Sequence, residues 1–242
     1  MRLDVFLCER GYTSSRTEAK GYITSGSVTV DGKVVTKPAF DVREDCTDVS
    51  VDKNARKYVS RGGLKLDGAL DNFKISVEGR LALDVGASSG GFTDCLLRRG
   101  ASHVIAVDSG SGQIADTLRR DPRVTVVENF NARYMAAEHL EYVPQLVVMD
   151  VSFISATLII PAVYNCIGVG GDFICLVKPQ FEVGRGGVGK GGIVKDEKLR
   201  KKALSDVISF ASGCGFCPLG EMVSPIEGGD GNIEFLVHFR KE

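Results

Sequence analysis

From Leu81 onward, short apolar runs alternate with segments of helical length. The runs are Leu81–Val85, Val104–Val107, Val124–Val127, Leu146–Met149, Phe173–Val177 and Ile233–Phe239. Apolar residues on consecutive positions signal strands covered on both faces, and the intervening segments predict helical crossovers. The expected architecture is α/β, with a doubly wound, mostly parallel, Rossmann-like sheet. Residues 1 to about 52 have a different texture. Ser15-Arg16-Thr17-Glu18 is a capping-box pattern and predicts a helix start, with Gly26 as its stop. Ser27 to Val35 alternates around Asp31-Gly32, which predicts a hairpin. A further strand near Asp48–Val51 completes a small N-terminal α+β module.

Composition changes this picture little. The chain has 242 residues, 43% apolar and 25% charged, with net charge −1. These values fit an ordinary globular protein and exclude a disordered, collagenous or disulfide-framework chain. Affinity for a polyanion must therefore come from local patches. Residues 1–62 hold 11 basic and 9 acidic residues, the remainder 19 and 22. Lys53 to Leu66, a linker leading into the first helix of a second domain, carries five cations and no acid; it is either a solvated charge run or a polyanion contact. The seven cysteines show no framework spacing. Cys95, Cys166 and Cys175 lie in apolar stretches and read as core residues, and Cys214 and Cys217 as reduced thiols. This cysteine usage, with Asp4, Glu9 and Arg10 interrupting any leader-like N-terminal run, predicts a cytoplasmic protein. Val151 to Gly171 is uncharged, but Pro161 and Asn165 point to a buried helix and turn rather than a bilayer span.

Chemistry concentrates at the ends of the predicted strands. Asp84-Val-Gly86-Ala-Ser88-Ser89-Gly90-Gly91 follows the first run and opens a helix, so its glycines allow close backbone approach to a ligand. Asp108 ends the second run, 24 positions later, where an acid can accept from the hydroxyls of an adenosine ribose. These features suit a dinucleotide as well as S-adenosylmethionine. The early acid Asp84 and the glycine spacing favour S-adenosylmethionine. Asp150 and Lys178 close the fourth and fifth runs, where a doubly wound sheet places its ligand crevice. Lys65 lies on the helix before the first strand, and Glu234 starts the last strand. No metal is expected, since the three histidines are scattered and no ligand cluster occurs.

Asp84–Asp94, Asp150–Ser155, Leu176–Glu182, Val188–Ile193, Ser224-Pro225-Ile226 and Gly231–Phe235 resemble the TlyA-type proteins, whose members carry the names hemolysin and ribosomal RNA 2′-O-methyltransferase. The resemblance runs the whole chain. It implies an S-four-type RNA-binding domain (1–55), a linker (56–60) and an FtsJ-like methyltransferase domain with a seven-stranded sheet (61–242). It implies a catalytic tetrad of Lys65, Asp150, Lys178 and Glu234. The expected cofactor contacts are Asp84, Gly86, Ser88, Ser89, Gly90, Gly91, Phe92, Asp108, Asn129 and Asp150. Because a near-neutral chain must concentrate its cations to hold a phosphate backbone, the expected RNA contacts are Arg2, Arg16, Lys20, Lys37, Arg56 and Arg61, in the N-terminal module and linker. The implied partner is ribosomal RNA, and the implied target a cytidine. The short N-terminus points to large-subunit RNA. Arg56-Lys57-Tyr58-Val59 matches the family's linker pattern. Ser109–Gln113 departs from the bulky residues expected around the adenosine.

A ribose 2′-hydroxyl is a weak nucleophile and needs a base as the methyl transfers. A lysine base, ordinarily near 10.4, must be lowered by burial or a second cation. Lys178 is the expected base, oriented by Asp150, with Lys65 and Glu234 setting the local charge. The glycine- and lysine-rich Lys178–Lys202 segment is either an RNA-contacting loop or a solvated one. Two other functions are open: a membrane-active hemolysin, for which 151–171 is the only candidate segment, and an RNA-binding protein with an inactive enzyme domain.

Overall fold

Asp31 and Gly32 both take positive φ, 51° and 70°, the pair that a two-residue type I′ turn demands. They join β1 (Val28–Val30) to β2 (Lys33–Val34), and β3 (Val49–Val51) pairs with the other edge of β1. The computed structural model describes residues 1–24, 26–52, 57–228 and 231–242. Arg56, expected at the RNA, lies outside the described residues. Two helices precede the hairpin, α1 (Leu3–Glu9) and α2 (Arg16–Thr24). The Ser15 hydroxyl accepts from the Glu18 N–H (3.1 Å), but Glu18 reaches back to Ser14 rather than Ser15, so the capping box closes one residue early. Gly26 (φ 75°) ends α2, with the Ser27 N–H donating to the Tyr22 carbonyl. Leu3, Phe6, Leu7, Ala19, Ile23 and Val28 pack as a separate small core.

The chain divides into two units, Met1–Gly63 and Leu64–Glu242. Tyr58 is buried in the first unit, and a Cβ at Gly63 would collide with its ring. Residues 57–63 fall within the first unit.

The second unit begins within α3 (Gly62–Phe73). There follow β4 (Leu81–Val85), α4 (Gly91–Arg98), β5 (His103–Val107), α5 (Asp116–Arg119), β6 (Val124–Val127) and β7 (Leu146–Met149). After these come α6 (Ile160–Cys166), β8 (Asp172–Val177), α7 (Pro179–Glu182), α8 (Glu197–Gly213), β9 (Phe216–Val223) and β10 (Phe235–Lys241). The seven strands lie in the order β6-β5-β4-β7-β8-β10-β9. The first five are parallel, and β10 is antiparallel to both its neighbours. Cys95, Cys166 and Cys175 are buried free thiols, as expected.

Two details differ from the apolar pattern. β9 was not among the six apolar runs. It is an edge strand with alternating exposure, broken by Pro218 and Gly220, which an edge tolerates and a central strand does not. The last strand begins at Phe235, so Glu234 precedes it. The uncharged 151–171 stretch folds as a turn, a short 3-10 helix (Ala156–Leu158) and α6. Among the described residues no helix is long and apolar enough to cross a membrane.

At the end of the sheet away from the strand carboxyl termini, Asp172 is buried and accepts from His238 Nε2 (2.8 Å), Arg240 Nη2 (2.7 Å) and Arg80 Nη1 (2.8 Å). Burial alone would raise its pKa, yet these donors hold the carboxyl well below the usual carboxylate range. A carboxyl depressed in the folded state stabilises above its unfolded pKa, near 4, and that stability is lost as pH falls through the folded value. Asp172→Asn is therefore expected to cost about 3 kcal/mol at neutral pH. The gap to the native chain should narrow below about pH 4, as followed by circular dichroism during thermal unfolding. An equal gap at all pH values would contradict this account.

Candidate active site

The strand order reverses between β4 and β7, so the connections leaving these strands part to opposite sides and open a crevice at the carboxyl ends. A cavity of about 570 Å³ occupies it. Its walls include Gly86 and Ser88 after β4, Asp108, Gly110 and Gln113 after β5, and Asp150–Ile154 after β7.

Three acids mark three adjacent strand ends. Asp84 lies within β4 and is fully buried; its Oδ2 accepts from Thr93 Oγ1 (2.6 Å), and its Oδ1 has no hydrogen-bond partner among the described residues. Burial pushes its carboxyl up to about 7, against the pull of the Thr93 hydroxyl, with Asp150 and Asp108 adding charge repulsion. Asp108, half-buried, accepts from the backbone N–H groups of Ser88 (2.8 Å) and Gly110 (2.7 Å). A carboxylate offers about four lone-pair sites, so capacity for a diol remains. Gly86 has φ 86°, and a Cβ there would strike the Asp150 carbonyl. Only glycine lets β4 and β7 turn so close together.

The other expected cofactor residues sit further from the cavity. Gly90 (φ 91°) caps α4, and a Cβ there would collide with Leu118. Ser89 accepts from the Ala115 N–H, Gly91 begins α4, and Phe92 is buried in the core. Asn129 (φ 55°) is exposed and donates its backbone N–H to Gly110; its neighbours Phe130 and Asn131 face the cavity instead. The Ser109–Gln113 segment, which departs from the family pattern, supplies wall residues, and Gln113 accepts from the Ser88 hydroxyl (3.1 Å).

The four expected catalytic residues converge. Asp150 follows β7, Lys178 follows β8, and the pairing of Phe235 with Val177 sets Glu234 opposite Lys178. Because β10 runs antiparallel, its start lies at the carboxyl ends of the parallel strands. Lys178 Nζ lies 2.5 Å from Asp150 Oδ1 and donates to Ser152 Oγ (2.7 Å). Lys65 Nζ donates to Glu234 Oε2 (2.5 Å), and Gln180 Nε2 donates to Glu234 Oε1 (3.4 Å). Lys65, Lys178 and Glu234 are each at least nine-tenths buried. Arg99 ion-pairs with Asp67 and Asp71 and so holds α3, the helix that carries Lys65.

Several contributors escaped the sequence reading. Glu182 accepts from Ser155 Oγ (2.6 Å) and the Ala156 N–H (2.8 Å), tying the segment after Lys178 to the segment after Asp150. Asn232 is buried, donates to the Gly192 carbonyl (2.9 Å) and accepts from the Val194 N–H (3.0 Å), so the end of the glycine-rich loop is anchored. Phe153 is 93% exposed, takes φ 64°, and its ring centroid lies 5.3 Å from that of Phe181. An aromatic residue with positive φ is a rare backbone state, and strain of this kind collects at functional sites. Only its place three residues after Asp150 could have flagged it.

The FtsJ-like methyltransferase family model matches residues 58–241, and the S4 domain model matches residues 1–45. Hemolysin A of Brachyspira hyodysenteriae is 46% identical over 240 residues, covering 99% of both chains. The 16S/23S rRNA (cytidine-2′-O)-methyltransferase TlyA of Mycobacterium tuberculosis is 45% identical, covering 100% of this chain and 90% of that one. Among solved structures, a Streptococcus thermophilus protein described as a candidate hemolysin superposes with a TM-score of 0.79 at 42% identity, covering 100% of this chain and 88% of the other. The S-adenosylmethionine-dependent methyltransferase of Mesorhizobium loti, 14% identical with a TM-score of 0.56 and covering 72% of this chain and 96% of its own, shares the fold alone. The chain thus belongs to the FtsJ-like methyltransferase family, in the S4-containing group that includes hemolysin A and the TlyA ribosomal RNA methyltransferases.

Proposed function

We propose that this protein transfers a methyl group from S-adenosylmethionine to the 2′-hydroxyl of a cytidine in ribosomal RNA. The observation that carries the reading is the convergence of Lys65, Asp150, Lys178 and Glu234 on one end of the sheet, beside a cavity bordered by acids. The TlyA relatives, named for that reaction, support it.

The residues present fit this cofactor. Asp84 leaves a buried carboxylate oxygen unpaired, Asp108 retains acceptor capacity for a ribose diol, and the glycine turn at Gly86 leaves room for close approach. Three carboxylates at adjacent strand ends favour a cationic ligand. The cofactor would supply an electrophilic methyl group on its sulfonium. The protein must then orient the hydroxyl and take its proton.

Lys178 would take that proton. Asp150 and Ser152 aim its amine, and the ammonium that forms is stabilised by the same two partners. Lys65, locked to Glu234, places a cation one strand away without itself being free to move. The exposed Phe153 ring, beside this centre, offers a stacking face to a nucleobase. The S4-type module would hold the RNA through Arg2, Arg16, Lys20 and Lys37, and the linker region through Arg56 and Arg61.

Asp108→Ala should weaken S-adenosylmethionine binding by about 1–3 kcal/mol through the unpaired hydroxyls, measured by isothermal titration calorimetry. Affinity should also rise as pH passes upward through about 7, because ionised Asp84 faces a cation. Asp84→Asn should flatten that profile. A flat profile in the native protein would remove Asp84 from the cofactor site.

Lys178→Arg should fold and bind both substrates, yet lose methyl transfer by about 10²–10⁴-fold, because a guanidinium keeps the charge but cannot accept the proton. Single-turnover transfer to undermodified ribosomal RNA measures this. Near-native rates in Lys178→Arg would show that charge, not proton transfer, is what Lys178 provides.

A further inference from the structure

Asp4, on α1 in the first unit, is a carboxylate with no exposed surface, and two arginines close over it. Arg2 donates to Oδ1 from Nε (2.9 Å) and to Oδ2 from Nη2 (3.3 Å). Arg16, the first residue of α2, donates to Oδ2 from Nη2 (3.0 Å). Hydrogen bonds from the two guanidiniums outweigh burial and hold the Asp4 carboxyl down to about 2, so it is ionised at working pH. The two arginine side chains nevertheless remain 51% and 54% exposed. Each guanidinium has five N–H donors. Arg2 commits two of them to Asp4 and Arg16 commits one, so both keep donors for another acceptor.

The surrounding chain brings further cations to this point. The Asp4 N–H donates to the Pro38 carbonyl, and the Phe40 N–H to that of Lys37, so the turn bearing exposed Lys37 is bonded to the start of α1. Lys20 lies one helical turn after Arg16 on α2 and is also exposed. Neither lysine has a carboxylate within ion-pair distance among the described residues. Two helix starts and one turn thus place four cations around one buried anion.

We infer that Asp4 is a positioning residue for RNA phosphate: it fixes the Arg2 and Arg16 guanidiniums in a preorganised pair, flanked by Lys20 and Lys37, that grips the ribose-phosphate backbone. The inference rests on the reading of the first unit as an RNA-binding module. The physical logic is that an arginine held by a buried carboxylate has already lost its rotamer freedom, so less is lost when phosphate binds. Asp4 reduces the net charge of the cluster by one while fixing its geometry. The two effects have opposite signs on RNA affinity, which makes the test decisive.

The experiment is filter binding of the full chain to labelled ribosomal RNA across a series of NaCl concentrations, with S-adenosylmethionine affinity and thermal unfolding measured alongside. Asp4→Asn should bind RNA roughly tenfold more weakly although its net charge is more positive, and its log–log salt slope should be shallower by about 1. S-adenosylmethionine binding, which belongs to the second unit, should be unchanged. Arg2→Lys keeps charge but cannot fork onto Asp4, and Arg16→Lys keeps charge but offers phosphate no planar fork beside its bond to Asp4, so each should also lose affinity. In the Arg2→Lys/Arg16→Lys background, Asp4→Asn should have no further effect on RNA affinity. RNA affinity in Asp4→Asn equal to or above the native value overturns the inference, as does an undiminished Asp4→Asn effect in the double-lysine background. If Asp4→Asn does not fold, native affinity in both arginine-to-lysine variants overturns it. Unchanged affinity in Arg2→Ala and Arg16→Ala would instead overturn the RNA-binding reading of the module itself.

Discussion

Ion pairs largely withdrawn from water at the carboxyl end of the central sheet are the constraint on which the site depends. Lys65, Lys178 and Glu234 are almost fully buried, and a buried charge is tolerated only when a counter-charge stands beside it. Adjacent strands lie about 4.8 Å apart, so groups at neighbouring strand ends meet within side-chain reach. β7, β8 and β10 are such neighbours, and they deliver Asp150, Lys178 and Glu234. The reversed direction of β10 matters. Run parallel, it would bring its start to the opposite end of the sheet, and Lys65 would lose its partner.

The second half of the crevice works by an opposite device. On β5, β4 and β7, three acids mark adjacent strand ends, and Asp150 and Asp108 both repel charge on Asp84. Their mutual repulsion, added to burial, drives Asp84 towards its neutral form. A site that strains against its own negative charge is prepared for a cationic ligand, since ligand binding relieves the repulsion. The lysine-bearing half and the acid-bearing half share Asp150, which ends β7 between them. That residue joins the acid-bearing half of the crevice to Lys178.

The loops that carry these groups are tied to one another rather than left to the sheet alone. Glu182 bridges from the Lys178 segment to Ser155 and Ala156, and Lys178 itself reaches Ser152. Asn232 pins the glycine-rich loop two residues before Glu234. Reactive geometry on loops needs this kind of support, because a loop has no ladder to hold it. The strained Phe153 backbone sits inside this tied region, where surrounding contacts can sustain it.

Sequence alone determined the alternation of strands and helices, the hairpin turn at Asp31-Gly32, the glycine turn after β4 and the charged residues closing β5, β7 and β8. Each is a local rule: period, turn chemistry, or a polar residue at the end of an apolar run. The edge strand β9 was not legible, because an edge exposes alternate residues and admits Pro218 and Gly220. The roles of Glu182, Asn232, Ser152 and Asp4 were not legible either. A glutamate, an asparagine, a serine or an aspartate reads as surface until the fold shows what encloses it. The sequence also left Arg2 and Arg16 as two cations on separate elements; tertiary structure made them a pair, by burying between them a carboxylate that both reach. Local pattern specifies what each segment becomes, but only the packed chain decides which charges lose their water and must find each other.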